Sequence, residues 1–342
     1  MFTTLRARKA LRVALIALFV ALSFLPAHLL AQDANVDAAK KEGRVVIYGT
    51  IIPQVMGLIE KGFAAKYGIK TEYWRADATK VIDRVLTEWR AGKPGFDLVI
   101  GARGPLALAK SDGVYAKFNP ANTAKFPAKF KDKDGQLVAW RITPVGILYN
   151  TELVKPNDVP KSLDDLLDAK WQGKIGMPDP SRHASTAQYL WNLQQVKGEK
   201  WMDFVRALAK QKPMLVESYS TVPNTIVRGE TSVGITYIQY AGQTKGPINF
   251  APIDQIFSDP SDAAVSVKAA NVNAAKLFIE YLCSPEGQQK VAETGEFALA
   301  PGIYPNVKGA DKMMSSLYLM EEASSATLAK VQAEFRSIFL KK

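Results

Sequence analysis

Arg44–Thr50 reads RVVIYGT, and Phe96–Gly104 reads FDLVIGARG. Each is a short apolar run that ends in glycine. Short apolar runs bounded by turn signals are the mark of strands buried on both faces. Between them lie two helical patterns. Val55, Ile59 and Phe63 recur every four residues within Val55–Tyr67, and Val81, Val85 and Trp89 do so within Thr79–Arg90. Lys70–Trp74 reads as a strand between the helices, and Gly92 and Pro94 end the second helix. A β-α-β-α-β order of this kind predicts an α/β fold with a parallel sheet covered by helices. Ligands of such sheets bind past the carboxyl ends of the strands. Here those ends are Tyr48–Ile52 and Gly101–Gly104.

A second alternating region begins after Trp140. Val145–Tyr149, Lys174–Met177, Met214–Glu217 and Ser232–Tyr237 read as strands. Ser162–Leu167 reads as a short helix with Ser162 and Asp165 in capping-box spacing. Asp179–Thr186 is a turn that opens a helix, and Trp201–Lys210 is helical. Ala274–Leu282 and Glu286–Thr294 form helices separated by Ser284-Pro285, and Ala326–Phe339 closes the chain.

The first residues read as an export signal. Arg6, Arg8, Lys9 and Arg12 precede the apolar run VALIALFVALSFL at 13–25, which leads to PAHLLA at 26–31. That order is a secretory signal peptide, with cleavage expected near Ala31. The apolar run is shorter than the ~18–20 residues of a membrane span. An exported chain with one cysteine, Cys283, has no internal disulfide and folds on its apolar core alone. The formal charge of +11 falls to +7 once the four signal-peptide cations are removed (11 − 4). Lys and Arg are spread along the chain without a dense block, which argues against nucleic acid. The excess does favour an anionic ligand.

Several pieces together carry a resemblance: KKEGRVVIYGT, WRAGKPGFDLVIGA, PVGILYNTELV, DVPKSLDDLLDAKWQGKIGMPDP, GITYIQYAGQTKG and AAKLFIEYLCSPEGQQ. The chain resembles periplasmic solute-binding proteins of ABC importers. It is most similar to the type II group related to ferric-ion-binding proteins, which also holds binders of phosphonates, thiamine and sugar phosphates. The resemblance implies a two-lobed fold. Each lobe is a mostly parallel sheet flanked by helices, and crossing strands form the hinge. It places the signal peptide at 1–31, lobe 1 at 32–141 with 251–342, and lobe 2 at 142–250. The crossings are expected near Val138–Pro144 and Pro247–Pro252. The implied role is capture of a small solute for an inner-membrane ABC permease, by a periplasmic monomer without a cofactor. Presentation of ligand to a receptor instead of a permease is equally compatible with the sequence.

The ligand turns on Gly234–Gln243, GITYIQYAGQ. Its tyrosines have three readings: core, pocket wall, or phenolate ligands of a hard metal ion. Ferric-binding relatives hold the ion with two adjacent tyrosines, often with a histidine and a glutamate. The matching places here are Gln239 and Tyr240 for the pair, Ile52 for the histidine and Ala102 for the glutamate. One ligand of four survives, so ferric ligation, which would use Tyr240 and Tyr237, is the secondary expectation. The primary one is an organic anion: a phosphonate, phosphate ester or carboxylate. Arg103 sits at a strand's carboxyl end, and arginine is a forked donor for such groups. Ser181, Arg182, His183 and Ser185 in PSRHAST match the family's anion-binding helix start, where free N–H groups and the helix dipole favour negative charge. Ordinary N-capping would explain the same serines. Tyr48, Gly49 and Thr50 follow the first strand, and Ser218 lies in SYST after another. Gln239 and Tyr240 complete the expected ligand set, with Tyr48 and Tyr240 packing on the solute. Ile51 and Ile52 suit a ligand with an apolar portion.

Enzymatic chemistry finds little support. His183 is the one histidine after the signal peptide, too few for a zinc site. An exported enzyme centred on His183 would need a triad, but its serines lie on the same short loop and no Gly-x-Ser-x-Gly elbow is present. Phosphate loops of the P-loop or dinucleotide type are also missing. Cys283, at the end of an apolar helix, reads as a small buried residue.

Overall fold

The computed structural model describes residues 35–340 apart from 308, 309, 311, 312 and 314–316. The expected signal peptide lies outside the described residues. The first wing of the fold follows the alternation read from the sequence. Helix α1 (Val36–Glu42) leads into β1 (Arg44–Gly49), α2 (Pro53–Tyr67), β2 (Lys70–Arg75), α3 (Ala78–Arg90), β3 (Leu98–Ala102) and α4 (Arg103–Ser111). Val55, Ile59 and Phe63 are buried along one face of α2, and Val81 and Val85 along one face of α3. Asp77 caps α3 by accepting the Lys80 N–H at 3.0 Å.

The chain then enters β4 (Val138–Asn150), a 13-residue strand. It joins in one piece the crossing expected at Val138–Pro144 and the strand expected at Val145–Tyr149. The second wing follows: β5 (Ile175–Pro178), α5 (Ala184–Asn192), α6 (Trp201–Lys210), β6 (Met214–Val216), α7 (Val222–Val227), β7 (Val233–Tyr237), α8 (Tyr240–Gln243) and β8 (Ile248–Phe250). The return is β9 (Phe257–Val265), followed by α9 (Val272–Cys283), α10 (Pro285–Glu293), β10 (Phe297–Ala298), β11 (Tyr318–Leu319) and α11 (Ser325–Phe339). Cys283 is buried at the end of α9. The short helix expected at Ser162–Leu167 is a 3-10 turn at Asp164–Leu167. Ser162 Oγ accepts the Asp165 N–H at 3.2 Å, as in the predicted capping box.

All the strands join one sheet whose main path runs β2-β1-β3-β9-β4-β7-β5-β6. The wings are parallel: β1 with β2 and β3, and β5 with β6 and β7. The middle is antiparallel, where β9 pairs β3 and β4 and β4 pairs β7. β4 therefore spans both wings. It pairs β9 over Val138–Val145 and β7 over Val145–Tyr149. The second crossing is not at Pro247–Pro252. That segment holds β8, which pairs the far end of β4 at Leu148–Asn150. Its place is taken by β9, FSDPSDAAV, which sequence reading passes over. Two aspartates and a proline argue against a buried strand, yet all nine residues are buried.

Two positions expected to face ligand serve the fold instead. Tyr48 is 4% exposed, and its ring packs 5.1 Å from Trp74 and 5.3 Å from Phe96. The Arg84 guanidinium lies 4.3 Å from the ring centres of both Tyr48 and Trp74, and Tyr48 Oη donates to Glu88 at 3.1 Å. Tyr48 is thus part of a small apolar cluster under α3. Gly49 is required by close strand packing. A Cβ there would sit 2.7 Å from the Ile100 carbonyl oxygen on β3. Gly49→Ala is expected to destabilise the protein by about 1–3 kcal/mol through overpacking. Urea unfolding measures this, and a loss below about 0.5 kcal/mol, the level of an ordinary surface change, would contradict the packing role.

Candidate functional site

A cavity of about 40 Å³ opens where the two wings face each other. Its floor comes from the central strands. Arg141 and Thr143 project from β4 and Ser261 from β9, with Ala102 at the end of β3. β3 pairs β9 only as far as Ala102 opposite Ser261, so the cavity begins where β3 stops. The first wing adds Thr50 and the turn from Arg75 to Ala78, and the second adds His183, Ser185, Ser218–Ser220, Tyr237 and Tyr240.

Arg141 is 5% exposed, and its Nη1 is ion-paired with the buried Glu296. Glu296 is held from the other side as well. Gln239 Nε2 donates to it at 3.0 Å and Gln243 Nε2 at 2.9 Å. These contacts fix the guanidinium, whose centre lies 4.7 Å from the Trp140 ring centre. Arg141 Nε and Ser261 Oγ are buried without a hydrogen-bond partner among the described residues, and Arg141 Nη1 has its ion-pair contact to Glu296 but no hydrogen bond. Buried donors without partners are costly, so these two groups mark where a ligand acceptor fits.

His183 is the N-cap of α5. Its Nδ1 accepts the Thr186 N–H at 3.3 Å, which leaves Nε2 to carry the proton of the neutral ring. Burial lowers the His183 pKa to about 4, against the opposing pull of Asp77, Asp179 and Glu217. The imidazole is therefore neutral near pH 7. Ser218 Oγ lies 2.9 Å from Ser220 Oγ and 3.1 Å from Thr221 Oγ1, a cluster of hydroxyls. Tyr219, Tyr237 and Tyr240 line the second wing, with ring centres 4.5 Å apart for the first two and 5.8 Å for the last two. Burial raises all three phenol pKa values, and Glu296 raises Tyr240 further.

The turn after β2 reaches across the cleft. Arg75 Nη2 donates to Ser220 Oγ at 3.0 Å. Thr79 Oγ1 donates to the Arg182 carbonyl at 2.6 Å and accepts the Ala184 N–H, at the start of α5, at 3.3 Å. Lys80 is ion-paired with Glu217.

Of the residues expected at the site, the structure brings together Thr50, His183, Ser185, Ser218 and Tyr240, and adds Tyr237. It does not bring Arg103 there. Arg103 is 5% exposed, with Nε donating to Asp262 Oδ2 at 2.7 Å and Nη2 to Asp262 Oδ1 at 2.9 Å and to the Phe130 carbonyl at 2.6 Å. Its chain position was read correctly, but the side chain turns inward to a partner on β9. Ser181 is buried in a turn, its Oγ donating to Asp179 at 2.7 Å. Arg182 points to solvent, 3.6 Å from Asp179. Gln239 is 1% exposed and serves Glu296. Tyr219 and Ser220 lie in the SYST loop read as ligand-side, whereas sequence reading missed Arg75, Asp77, Arg141, Thr143, Ser261 and Glu296. Arg75 was open to discovery, because it stands at the carboxyl end of a strand already read. The β9 residues were not, since the strand itself went unread.

A donor-lined cleft between two wings, crossed by two long antiparallel strands, defines a two-lobed solute-binding protein of the type II periplasmic class. The chain belongs to the bacterial extracellular solute-binding protein family, whose model matches residues 93–315. An uncharacterised protein of Haemophilus influenzae is 25% identical over 293 residues, covering 81% of this chain and 83% of that one. A Fe(3+)-binding periplasmic protein of Serratia marcescens is 22% identical over 280 residues, covering 78% of this chain and 81% of its own. Among solved structures, the periplasmic binding protein AfuA from Actinobacillus pleuropneumoniae, with exogenous fructose-6-phosphate bound, superposes with a TM-score of 0.71. It is 22% identical, over 87% of this chain and 97% of that one. The family, the Serratia protein and AfuA are binding proteins. No helix among the described residues is long and apolar enough to cross a membrane.

Strand β9 also carries carboxyls that gather near Arg103. Arg103 pairs with Asp262, Glu322 is 3.9 Å away, and Asp259 accepts the Gly104 N–H at 3.1 Å. Burial raises the Asp259 pKa to about 7, with the Gly104 N–H and Arg103 opposing and Asp262 and Glu322 adding. A carboxyl with a folded pKa near 7 and an unfolded one near ~3.9 binds its proton more tightly when folded. Its contribution to stability is full below pH 4 and is lost as pH rises to 7. Asp259→Asn should therefore remove a slope of about 1.4 kcal/mol per pH unit between pH 5 and 7. Urea midpoints of both proteins at several pH values test this. Parallel curves would mean that Asp259 does not hold the proton.

Proposed function

We propose that the chain is the periplasmic component of an ABC importer and that it captures a small organic anion with a phosphate or phosphonate head. The observation that carries this reading is Arg141, a buried guanidinium held rigidly by Glu296 with its Nε directed to no protein acceptor. The charges around the cavity point the same way. Glu296 neutralises Arg141, and Asp77 is engaged by Lys80 and by the start of α3. Arg75 has no carboxylate within ion-pair distance among the described residues, so its guanidinium is the one left to meet an anionic ligand. Thr50, Ser185, Ser218 and Ser261 supply enough hydroxyls to reach several oxygens of one head group. A carboxylate, with two oxygens, would use fewer of them.

The ferric alternative would rest on tyrosines. Among the described residues no group of three or more His, Cys, Asp or Glu could hold a metal ion. Tyr237 and Tyr240 are phenols whose pKa burial raises, and of the carboxylates near them Glu296 is taken by Arg141 and two glutamines. We take 32–141 with 251–342 and 142–250 as the two lobes, closing on the solute as a monomer for delivery to the permease.

Thermal unfolding of mature, refolded protein against phosphonates, sugar phosphates, dicarboxylates, thiamine and ferric ion with and without citrate tests this reading. A ligand at a hundred times its Kd adds about 2.7 kcal/mol of stability. A phosphate or phosphonate is expected to give that shift, and Arg75→Ala and Arg141→Gln should each reduce it. Glutamine at 141 keeps a donor for Glu296. A response to ferric ion alone, with a tyrosinate absorption band, would sink the proposal.

A further inference from the structure

The loop that joins α4 to β4 carries a short repeat, none of which lines the cavity at Arg141. Ala116-Lys117-Phe118, Ala124-Lys125-Phe126 and Ala128-Lys129-Phe130 each read AKF, and Lys131-Asp132-Lys133-Asp134 follows. The three phenylalanines are buried and line one cavity of about 100 Å³, together with Val138 and Leu299. The lysine before each of them is exposed. Each repeat thus sends a ring into the wing and an ammonium into water. Pro120 and Pro127 lead 3-10 turns at Ala121–Thr123 and Ala128–Phe130, and their fixed backbone angle holds the path between anchors. The lysines are spaced by apolar residues along the chain, and the fold is what gathers them.

The charge of this loop is one-sided. Residues 116–135 hold Lys117, Lys125, Lys129, Lys131 and Lys133, two aspartates, and no arginine or glutamate. Both aspartates are engaged by Lys110 of α4, Asp132 at 2.6 Å and Asp134 at 2.7 Å. The five loop lysines are exposed, and none has a carboxylate within ion-pair distance among the described residues. Lys129 stands 5.1 Å from the Phe130 ring centre, and Lys131 donates to the Ala124 carbonyl at 3.2 Å, contacts that bring no negative charge. From α9, Lys276 lies 5.7 Å from the Phe118 ring centre. Glu280 of the same helix accepts the Ala121 N–H at 2.9 Å and the Asn122 side chain at 2.9 Å. Five lysines against that one carboxylate leave the surface positive.

The chemistry of the loop selects among anionic partners. Its other exposed residues are small or polar: Asn119, Ala121, Asn122, Ala124, Pro127 and Ala128. Protein partners are gripped by buried Trp, Tyr and Arg anchors, and single-stranded nucleic acid by aromatic stacking. The loop presents neither. Lysine is a hydrated point charge without the fork that reads one carboxylate. Such a surface fits a diffuse layer of negative charge, and clusters of about four to eight basic residues bind anionic lipid headgroups in this way. We propose that the 116–135 loop docks the protein on a bilayer bearing anionic phospholipid, its five lysines against the headgroup phosphates. The inference is independent of which solute the cleft takes. Docking of this kind concentrates a solute carrier at the surface where a permease lies.

Cosedimentation of mature, refolded protein with phosphatidylcholine vesicles, with and without phosphatidylglycerol, tests the assignment. The protein should partition to the vesicles that contain phosphatidylglycerol and be released by high salt. Each lysine near such a surface contributes about fivefold to partitioning. Lys125→Gln, Lys129→Gln and Lys133→Gln combined should therefore weaken it by about a hundredfold. Lys125→Glu alone changes two charges at one exposed position and should weaken it by about twentyfold, which keeps the test open if the triple variant misfolds. Lys155→Gln, Lys161→Gln and Lys210→Gln combined make the same change in net charge at exposed positions of the second wing. Their charges are remote from the docked loop and screened, so the loss there should stay within about threefold. Equal losses in the two triple variants would mean that net charge alone drives binding, and the docking loop would be overturned. Equal partitioning to both kinds of vesicle, or to neither, would overturn it as well. Capture by a polyglutamate resin in place of these vesicles would assign the loop to an acidic protein and end the lipid assignment.

Discussion

The ladder between β4 and β9 is the constraint on which the rest of the structure depends. These two strands lie at the centre of the sheet, antiparallel between two parallel wings. Each wing alone is a small α/β layer with its own buried strands. What joins them is backbone hydrogen bonding along a strand that belongs to both. The same strands carry the floor of the cavity, in Arg141, Thr143 and Ser261. The position of the cavity relative to the wings is therefore set by sheet register, not by a loop. One slip of β9 against β4 would exchange buried and pocket-facing side chains.

A central strand that carries two aspartates needs partners for them. Asp262 has a forked pair with Arg103, and Asp259 has an amide from the start of α4. Burial lowers the pKa of an isolated guanidinium, but Asp262, with Asp259 and Glu322, outweighs it and raises that of Arg103. Removing Arg103 would leave Asp262 charged and unpaired in the core, a loss on the order of 3–5 kcal/mol. The arginine that looks most like a ligand donor in the sequence is thus a structural counter-ion. The arginine that faces the cavity, Arg141, stands inside a strand between apolar residues, where no local pattern marks it.

That contrast explains how much was legible. Elements with a clear period were read within a few residues of their ends: α2, α3, α6 and the strands of both wings. Thr50 after β1 and Ser218 after β6, both expected past strand ends, line the cavity. The failures share one cause. Whether Tyr48, Arg103 or Gln239 faces a cavity or the core depends on partners far away in sequence. Arg103 meets Asp262 159 residues later, and Gln239 meets Glu296 57 residues later. Strand β9 failed for the same reason. Its polar residues are unfavourable locally and become acceptable only once Arg103 and the α4 amide are in place.

The contacts across the cleft differ in strength, and the difference bears on how a closed shape is held. Lys80 and Glu217 are both more than 60% exposed, so their ion pair contributes little in water. Thr79 is another matter. It binds two backbone groups at the start of α5, the Arg182 carbonyl and the Ala184 N–H. The first amides of a helix have no partner within it, and capping one is worth about 0.5–2 kcal/mol. Here part of the cap comes from the opposite wing. Parting the wings would uncover the Ala184 amide at the end of α5 that already faces the cavity through His183 and Ser185. A hydroxyl of one wing thus completes the cap of the cavity-facing end of α5 in the other. Were the wings to part, water could take the place of that hydroxyl, so the cap by itself holds them together only weakly.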